Sequence, residues 1–225
     1  MTQEGASGGK ALDTTEGQAV YNPLTLAVYD LYVTHFTNYF IWKCPCRHIQ
    51  AMFQNNSTDR HLDVGVGTGY YLKNLTWPQG AEITLMDMND ASLKAAAKVL
   101  RGHKTTGVQA DIYQRCEVLK DRFKSISANF LLHCLPGTMA DKTVVIENLV
   151  DMLQPGGILF GSTVLSDTAG HGPVSRRLMA LYNRKGIFGN NQDTQAGLKA
   201  ALGQHLEDVD IKIIGCVALF TGRKK

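Results

Sequence analysis

Leu62-Asp63-Val64-Gly65-Val66-Gly67-Thr68-Gly69-Tyr70 is the stretch on which the fold turns. His61 to Val66 reads as a short buried strand that runs into glycines at alternate positions and then a helix. Glycine permits positive φ angles and a close approach of backbone to a ligand. In an open parallel sheet, ligands bind beyond the carboxyl ends of the strands, at turns of this kind. Spacing separates two ligand classes. Dinucleotide sites use G-x-G-x-x-G and seat a pyrophosphate on a helix N-terminus. From Gly65 that pattern needs glycine where Tyr70 stands, and from Gly67 it needs glycine where Leu72 stands. The pattern here is D-x-G-x-G-x-G. Asp63 sets a carboxylate beside the loop, where it repels a pyrophosphate and suits a cationic amino acid. A nicotinamide-dependent reductase is disfavoured by this glycine pattern, and Tyr182 is followed by Lys185 at three positions rather than four.

Two more acids follow in order. Leu85-Met86-Asp87-Met88 lies at the end of a second strand, with Asp87 twenty-four residues after Asp63. An acid there can accept hydrogen bonds from both hydroxyls of a ribose. Ala110-Asp111-Ile112 lies just past a short third strand. Asp111 can take the exocyclic amine of an adenine, while Met88 and Ile112 sandwich the ring. Each piece alone is weak; in this order and on these elements they describe one nucleoside site.

Outward from this centre, strand and helix signals alternate. Strands are expected at Ala81 to Asp87, Gly107 to Ala110, Ser125 to Leu132 and Ile158 to Leu165. A helix from Ala91 to Leu100 takes Asp90 as its N-cap. A second, Lys142 to Leu153, is stopped by Pro155-Gly156-Gly157. Val174 to Tyr182 and Thr194 to His205 look helical. Val209 to Ile214 and Cys216 to Thr221 form a hairpin joined at Gly215. The alternation predicts an α/β fold, a seven-stranded, mostly parallel sheet with helices on both faces and an antiparallel edge hairpin strand. Residues 1–15 are rich in Gly, Ser and Thr and read as a disordered arm. Residues 16–225 form one domain, of which 16–55 is an aromatic, amphipathic N-terminal helical lid.

Composition excludes several classes. Of 225 residues, 44% are hydrophobic and 19% charged, so the chain can bury a core of its own. The net charge of +3 is spread thinly, with no basic stripe set among aromatics, so no nucleic-acid partner is expected. The Arg223-Lys224-Lys225 tail suits a solvated terminus. Five cysteines without framework spacing suit reduced thiols. Cys44-Pro45-Cys46-Arg47-His48 invites zinc, but no second ligand pair exists and no metal is expected. Nothing resembles a signal peptide or a span across a bilayer, so a cytoplasmic, membrane-free protein is expected, as monomer or homodimer.

These motifs resemble class I S-adenosylmethionine-dependent methyltransferases, and most of all the small-molecule branch that includes quinone-biosynthesis C-methyltransferases. The resemblance covers about residues 20 to 222. It rests on LDVGVGTGYYL, MDMND, QADIY, SANFLLHCLPG, LQPGGILFGSTVL and the terminal VALFTGRKK. It implies a Rossmann-like, doubly wound fold with S-adenosyl-L-methionine as cofactor. It also implies that Gly65, Gly67 and Gly69 let the loop pass the methionine part, with Asp63 near its ammonium. Asp87 would hold the ribose, Asp111 with Ile112 the adenine, and Asn129 the methionine through backbone contacts. Tyr21, in the lid, would lie over the cofactor.

The sulfonium already carries an activated methyl, so the protein has mainly to orient the acceptor. His133, just after the fourth strand, is the expected general base for a phenol or enol. His35 and His171 are weaker candidates. Tyr29, Trp42 and His35 would line the acceptor pocket, and Tyr21, Tyr29 and Trp42 also favour a sulfonium by cation–π attraction of about 0.5–2 kcal/mol. No Asp-Pro-Pro-Tyr sequence and no acid pair for a catechol-bound metal follow the fourth strand. The expected function is therefore methyl transfer to a small hydrophobic or aromatic metabolite, as in secondary-metabolite tailoring. The same pocket would also serve a non-methylating rearrangement or cyclisation catalyst, or a regulatory binding protein.

Overall fold

The computed structural model describes residues 37–225. The arm at 1–15, the part of the expected lid before residue 37, and Tyr21, Tyr29 and His35 lie outside the described residues.

The strands are β1 (Arg60–Val64), β2 (Glu82–Asp87), β3 (Lys104–Gln109), β4 (Phe123–Asn129), β5 (Leu153–Val164), β6 (Leu206–Ile214) and β7 (Val217–Lys224). They make one sheet in the order β3-β2-β1-β4-β5-β7-β6. β1 to β5 run parallel, and β7 is antiparallel to both its neighbours. The hairpin expected at the edge is there, with β6 outermost. Its strands sort by polarity: β7 leads with Val217, Ala218, Leu219 and Phe220, all buried, whereas β6 alternates and exposes Asp210 and Lys212. The more apolar strand takes the doubly covered position.

Among the described residues, five α-helices cover the sheet: α1 (Cys46–Asn56), α2 (Asp90–Val99), α3 (Thr143–Met152), α4 (Pro173–Arg184) and α5 (Gln195–His205). α3 and α5 bury Val145, Ile146, Leu149, Leu198 and Leu202 on one face. α1 and α2 bury Ile49, Phe53, Leu93 and Ala96 on the other, with Leu178 and Met179 of α4 packed alongside. α1, the end of the expected lid, is thus a layer of the core and packs against β5.

Local details differ from the sequence reading for physical reasons. The helix expected after the glycine loop is only a 3-10 turn, Leu72–Asn74. Pro78 follows closely, and Trp77 donates its indole N–H to Leu72 O at 3.2 Å, closing the turn. The N-cap of α2 is Asn89, whose side chain accepts from Ala91 N at 2.9 Å, and Asp90 instead pairs with Lys94 one turn on. Pro155-Gly156-Gly157 does not separate α3 from β5. β5 begins at Leu153, and the three residues lie where its register with β4 shifts, between Phe123↔Leu153 and Ser125↔Ile158. β4 ends at Asn129 because Phe130 turns away at φ 51°.

A buried ion pair joins the α3 end of the core to the loop before α5. Lys142 and Asp193 are both fully buried, 2.6 Å apart, and Lys142 Nζ also donates to Gly189 O at 2.9 Å. This clamp holds residues 186–192 against the sheet. Lys142→Met should lower stability by about 3–5 kcal/mol, because it leaves an uncompensated buried carboxylate. The midpoint of chemical denaturation measures the loss.

Candidate active site

Strand order reverses between β1 and β4, and beyond the carboxyl ends of these strands lies a cavity of about 780 Å³. Small-molecule sites commonly span about 300–1,000 Å³, so it accommodates a nucleoside-sized ligand with room beside it.

The glycine loop forms one side. Gly65 N donates to Met86 O at 2.9 Å, which ties the loop to the end of β2. Gly67 has φ +52°, and a Cβ built there would meet no atom within 4 Å, so its bare backbone faces open space. Gly69 answers a different need. A Cβ at that position would lie 2.9 Å from Val99 Cγ2 and 3.1 Å from Ala96, so the residue lets the loop pack on α2.

Asp63, at 5% exposure, lines the floor. Ser127 donates a short hydrogen bond to its Oδ1, while Oδ2 has no hydrogen-bond partner among the described residues. Burial pushes its carboxyl up to about 7, the nearby Asp87 charge adds to the rise, and the Ser127 hydroxyl opposes it. Asp87 accepts from Asn89 N at 2.8 Å and from Gly67 N at 3.5 Å. Burial raises its pKa as well, against those backbone donors. Asp111 Oδ1 accepts from Tyr113 N at 3.0 Å and caps the turn after β3. Asp141 stands on the wall too, held by the Thr138 N–H and hydroxyl. Among the described lining residues there is neither lysine nor arginine. A cavity with four carboxylates and no basic side chain attracts a cation and repels a pyrophosphate.

The sequence matches the family described as "Methyltransferase domain" over residues 38–201. The chain belongs to this methyltransferase family. It is 36% identical to the physcion biosynthesis cluster O-methyltransferase of Aspergillus chevalieri, over 96% of this chain and 98% of that one. It is 33% identical to the demethylluteothin O-methyltransferase of Streptomyces thioluteus, over 91% and 90% of the two chains. Among solved structures, the N-methyltransferase NodS from Bradyrhizobium japonicum with S-adenosyl-L-homocysteine superposes at TM-score 0.57, with 19% identity over 79% of this chain and 85% of that one. The protein is an S-adenosylmethionine-dependent methyltransferase.

The residues of this chain fit that cofactor: the open backbone at Gly67, the free Oδ2 of Asp63 and a described lining without lysine or arginine all favour an amino-acid sulfonium. Asp63, Gly65, Gly67, Gly69, Asp87, Met88, Asp111, Ile112 and Asn129 all line the one cavity, as do Trp42 and His133. Asn129 Oδ1 is occupied by the Ser162 hydroxyl, which fixes the side chain at the end of β4. Sequence reasoning missed the wall made by residues 186–192 with Tyr182 and Asn183 of α4. Its one linear signal was the pair of aromatics, Tyr182 and Phe188, flanking Gly186-Ile187.

His133 does not sit as a base should. It is 4% exposed, and burial, aided by the Lys142 charge, holds its pKa down to about 3. Val164 N donates to its Nδ1 at 3.4 Å. A neutral imidazole with Nδ1 accepting carries its proton on Nε2, so Nε2 can only donate. His171 is removed from the site: its Nε2 lies 2.6 Å from Leu165 O and it does not reach the cavity.

Asp87→Ala should weaken binding of S-adenosylhomocysteine by roughly 1–3 kcal/mol, the cost of leaving ligand hydroxyls unmatched in a buried site. Titration calorimetry reads this directly; an unchanged affinity removes Asp87 from the ribose position.

Proposed function

We propose that this methyltransferase methylates a hydroxyl group on a small, planar, uncharged aromatic metabolite. The observation that carries the reading is an aromatic wall with the His133 imidazole set in it. The Phe188 ring stands 4.5 Å from His133, 5.0 Å from Tyr182 and 5.9 Å from Trp42, centroid to centroid, and Phe130 meets His133 edge-on at 5.7 Å. Such a wall favours a flat apolar ring through offset and edge contacts. The carboxylates without basic partners disfavour an anionic acceptor. Two relatives named as O-methyltransferases agree with oxygen as the methylated atom.

In this reading Asp63 holds the ammonium of the cofactor, Asp87 its ribose, and Asp111 with Met88 and Ile112 its adenine. When bound, the cofactor supplies an electrophilic methyl on a cationic sulfur. The aromatic wall holds the acceptor ring so that its oxygen faces that methyl, which is where proximity accelerates transfer. His133 Nε2–H donates to the acceptor oxygen and stabilises it as it loses its proton to solvent. The Lys142–Asp193 and Asn183–Asn190 contacts keep Phe188 in place. Five free cysteines suit work in a reducing cytosol.

Incubation with S-adenosylmethionine and a panel of hydroxylated aromatics, followed by mass spectrometry, tests the reading. A gain of one methyl on an aromatic hydroxyl supports it, and transfer only to amines or aliphatic acceptors overturns it. His133→Phe should cost about 10–100-fold in turnover, the worth of a hydrogen bond to a charged oxygen, while His133→Gln, which keeps an N–H, should lose less. The wild-type rate should rise with pH according to the acceptor's own ionisation, with no inflection from an imidazole between about pH 5 and 8. An inflection there that disappears in His133→Gln restores His133 as base.

A further inference from the structure

A chain of buried polar side chains runs along one face of the sheet behind the cavity. His61 and Asp63 alternate on β1, and Ser125 and Ser127 alternate on β4. The register sets His61 opposite Ser125 and Asp63 opposite Ser127. Four polar groups thus share a face that otherwise packs Phe53, Ile83 and Phe160. His61, Ser125 and Ser127 have no measurable exposure. The contacts are continuous: Thr58 N to Ser125 Oγ at 3.0 Å, Ser125 Oγ to His61 Nδ1 at 2.8 Å, His61 Nε2 to Ser127 Oγ at 2.9 Å, and Ser127 Oγ to Asp63 Oδ1.

With Asp63 ionised, chemistry fixes the direction of each proton along this chain. An ionised Asp63 can only accept, so Ser127 gives it the one proton its hydroxyl has. Ser127 must then accept from His61 Nε2–H. Burial holds the imidazole neutral, with its pKa lowered to about 3, so Nδ1 is a lone pair and accepts from Ser125. Ser125 in turn accepts from the backbone N–H of Thr58. All donors point towards the carboxylate, and successive bonds in such a chain polarise one another. The ring is held in place by Phe160 at 5.8 Å and Trp77 at 5.4 Å.

We propose that Ser127 and His61 are positioning residues for the amino-acid end of the cofactor: the chain from Thr58 to Asp63 favours the charged form of this carboxylate against its burial and turns its free Oδ2 towards the cavity. The inference rests on the assignment of Asp63 to the ligand ammonium. Ionising a carboxyl at this depth is opposed by burial and by Asp87 at the end of β2, and no lysine or arginine lines the described cavity to help. The polarised donor is the protein's own contribution towards ionisation. A hydroxyl in a buried strand of a parallel sheet otherwise serves no packing purpose that alanine would not serve.

Calorimetry on the full chain, with two ligands and over about pH 6 to 9, tests this. S-adenosylhomocysteine carries the ammonium; 5′-methylthioadenosine lacks the whole amino-acid part and reports on the nucleoside site and on folding. Wild-type affinity for the first should fall as pH drops through about 7, where Asp63 takes up its proton, and affinity for the second should not follow it. Ser127→Ala should weaken S-adenosylhomocysteine about 10–100-fold at neutral pH, move that pH midpoint upward and leave 5′-methylthioadenosine unchanged. His61→Phe, which keeps the ring stack, should act in the same direction, and His61→Gln, which restores an N–H, should recover part of the loss. Ser127→Ala with wild-type affinity for both ligands, or with equal losses for both, overturns the proposal. Asp63→Asn separates the two layers of the argument, and Asp87 with it. If that variant binds S-adenosylhomocysteine like wild type, the ammonium assignment itself is wrong; if it weakens while Ser127→Ala does not, only the relay is wrong.

Discussion

Uncompensated negative charge at the carboxyl ends of β1 and β2 is the constraint around which the rest of the site is arranged. Asp63 and Asp87 lie at the ends of neighbouring strands, burial opposes the charge of both, and the Asp87 charge adds to the cost of ionising Asp63. A fold stabilised for its own sake would put a lysine between them. None lines the described cavity, and the described residues supply only neutral donors: Ser127 to Asp63, and the backbone N–H groups of Gly67 and Asn89 to Asp87. The same arrangement accounts for the glycine spacing. Gly67 leaves the backbone bare towards the cavity and donates its N–H to Asp87, while Gly69 is spent on the approach of α2.

The opposite end of the cavity obeys a different logic. There the chain between α4 and α5 carries few apolar anchors, and polar contacts replace them. Lys142 with Asp193 and Gly189, and the paired amides of Asn183 and Asn190, fix a loop whose one large side chain, Phe188, closes the aromatic wall. Asn190 also donates to Val164 O at the end of β5, so the loop is registered against the sheet rather than merely covering it. A buried ion pair is a poor means of gaining stability, but it specifies one geometry, because neither charge tolerates any other partner.

How much of this the sequence disclosed follows from the range of the interactions. The strands, the mostly parallel sheet with its edge hairpin, the glycine loop and the acids Asp63, Asp87 and Asp111 were legible because each depends on local pattern: a run of apolar residues, a glycine period, an acid at a strand end. The fault lines lay where distant segments meet. Lys142 read as the first residue of a helix, and only Asp193, far along the chain, makes it a buried cation. Ser125 and Ser127 read as ordinary residues of an apolar strand until the pairing of β1 with β4 set them opposite His61 and Asp63. Asn89 and Asp90 are equally good N-caps by composition, and the turn after β2 decided between them. The glycine loop itself misled in one respect, since the helix expected after it is cut short by Trp77 and Pro78.

His133 and His61 show why position alone did not assign chemistry. Both are buried neutral, and both have pKa values lowered from 6.5 to about 3, so both are protonated in the unfolded chain before they are in the fold. Each therefore contributes stability that is complete above about pH 6.5 and is lost as pH falls towards 3. Asp63 works the other way. Its folded pKa, raised from 3.8 to about 7, means that the fold holds a proton the unfolded chain has released, so its contribution declines as pH rises through that window. A cation seated on Asp63 lowers its pKa and removes that decline, while the histidines, already neutral, are unaffected. In the proposed reading, ligand binding thus shifts the balance towards neutral pH, and it does so through a carboxylate whose ionised form burial disfavours.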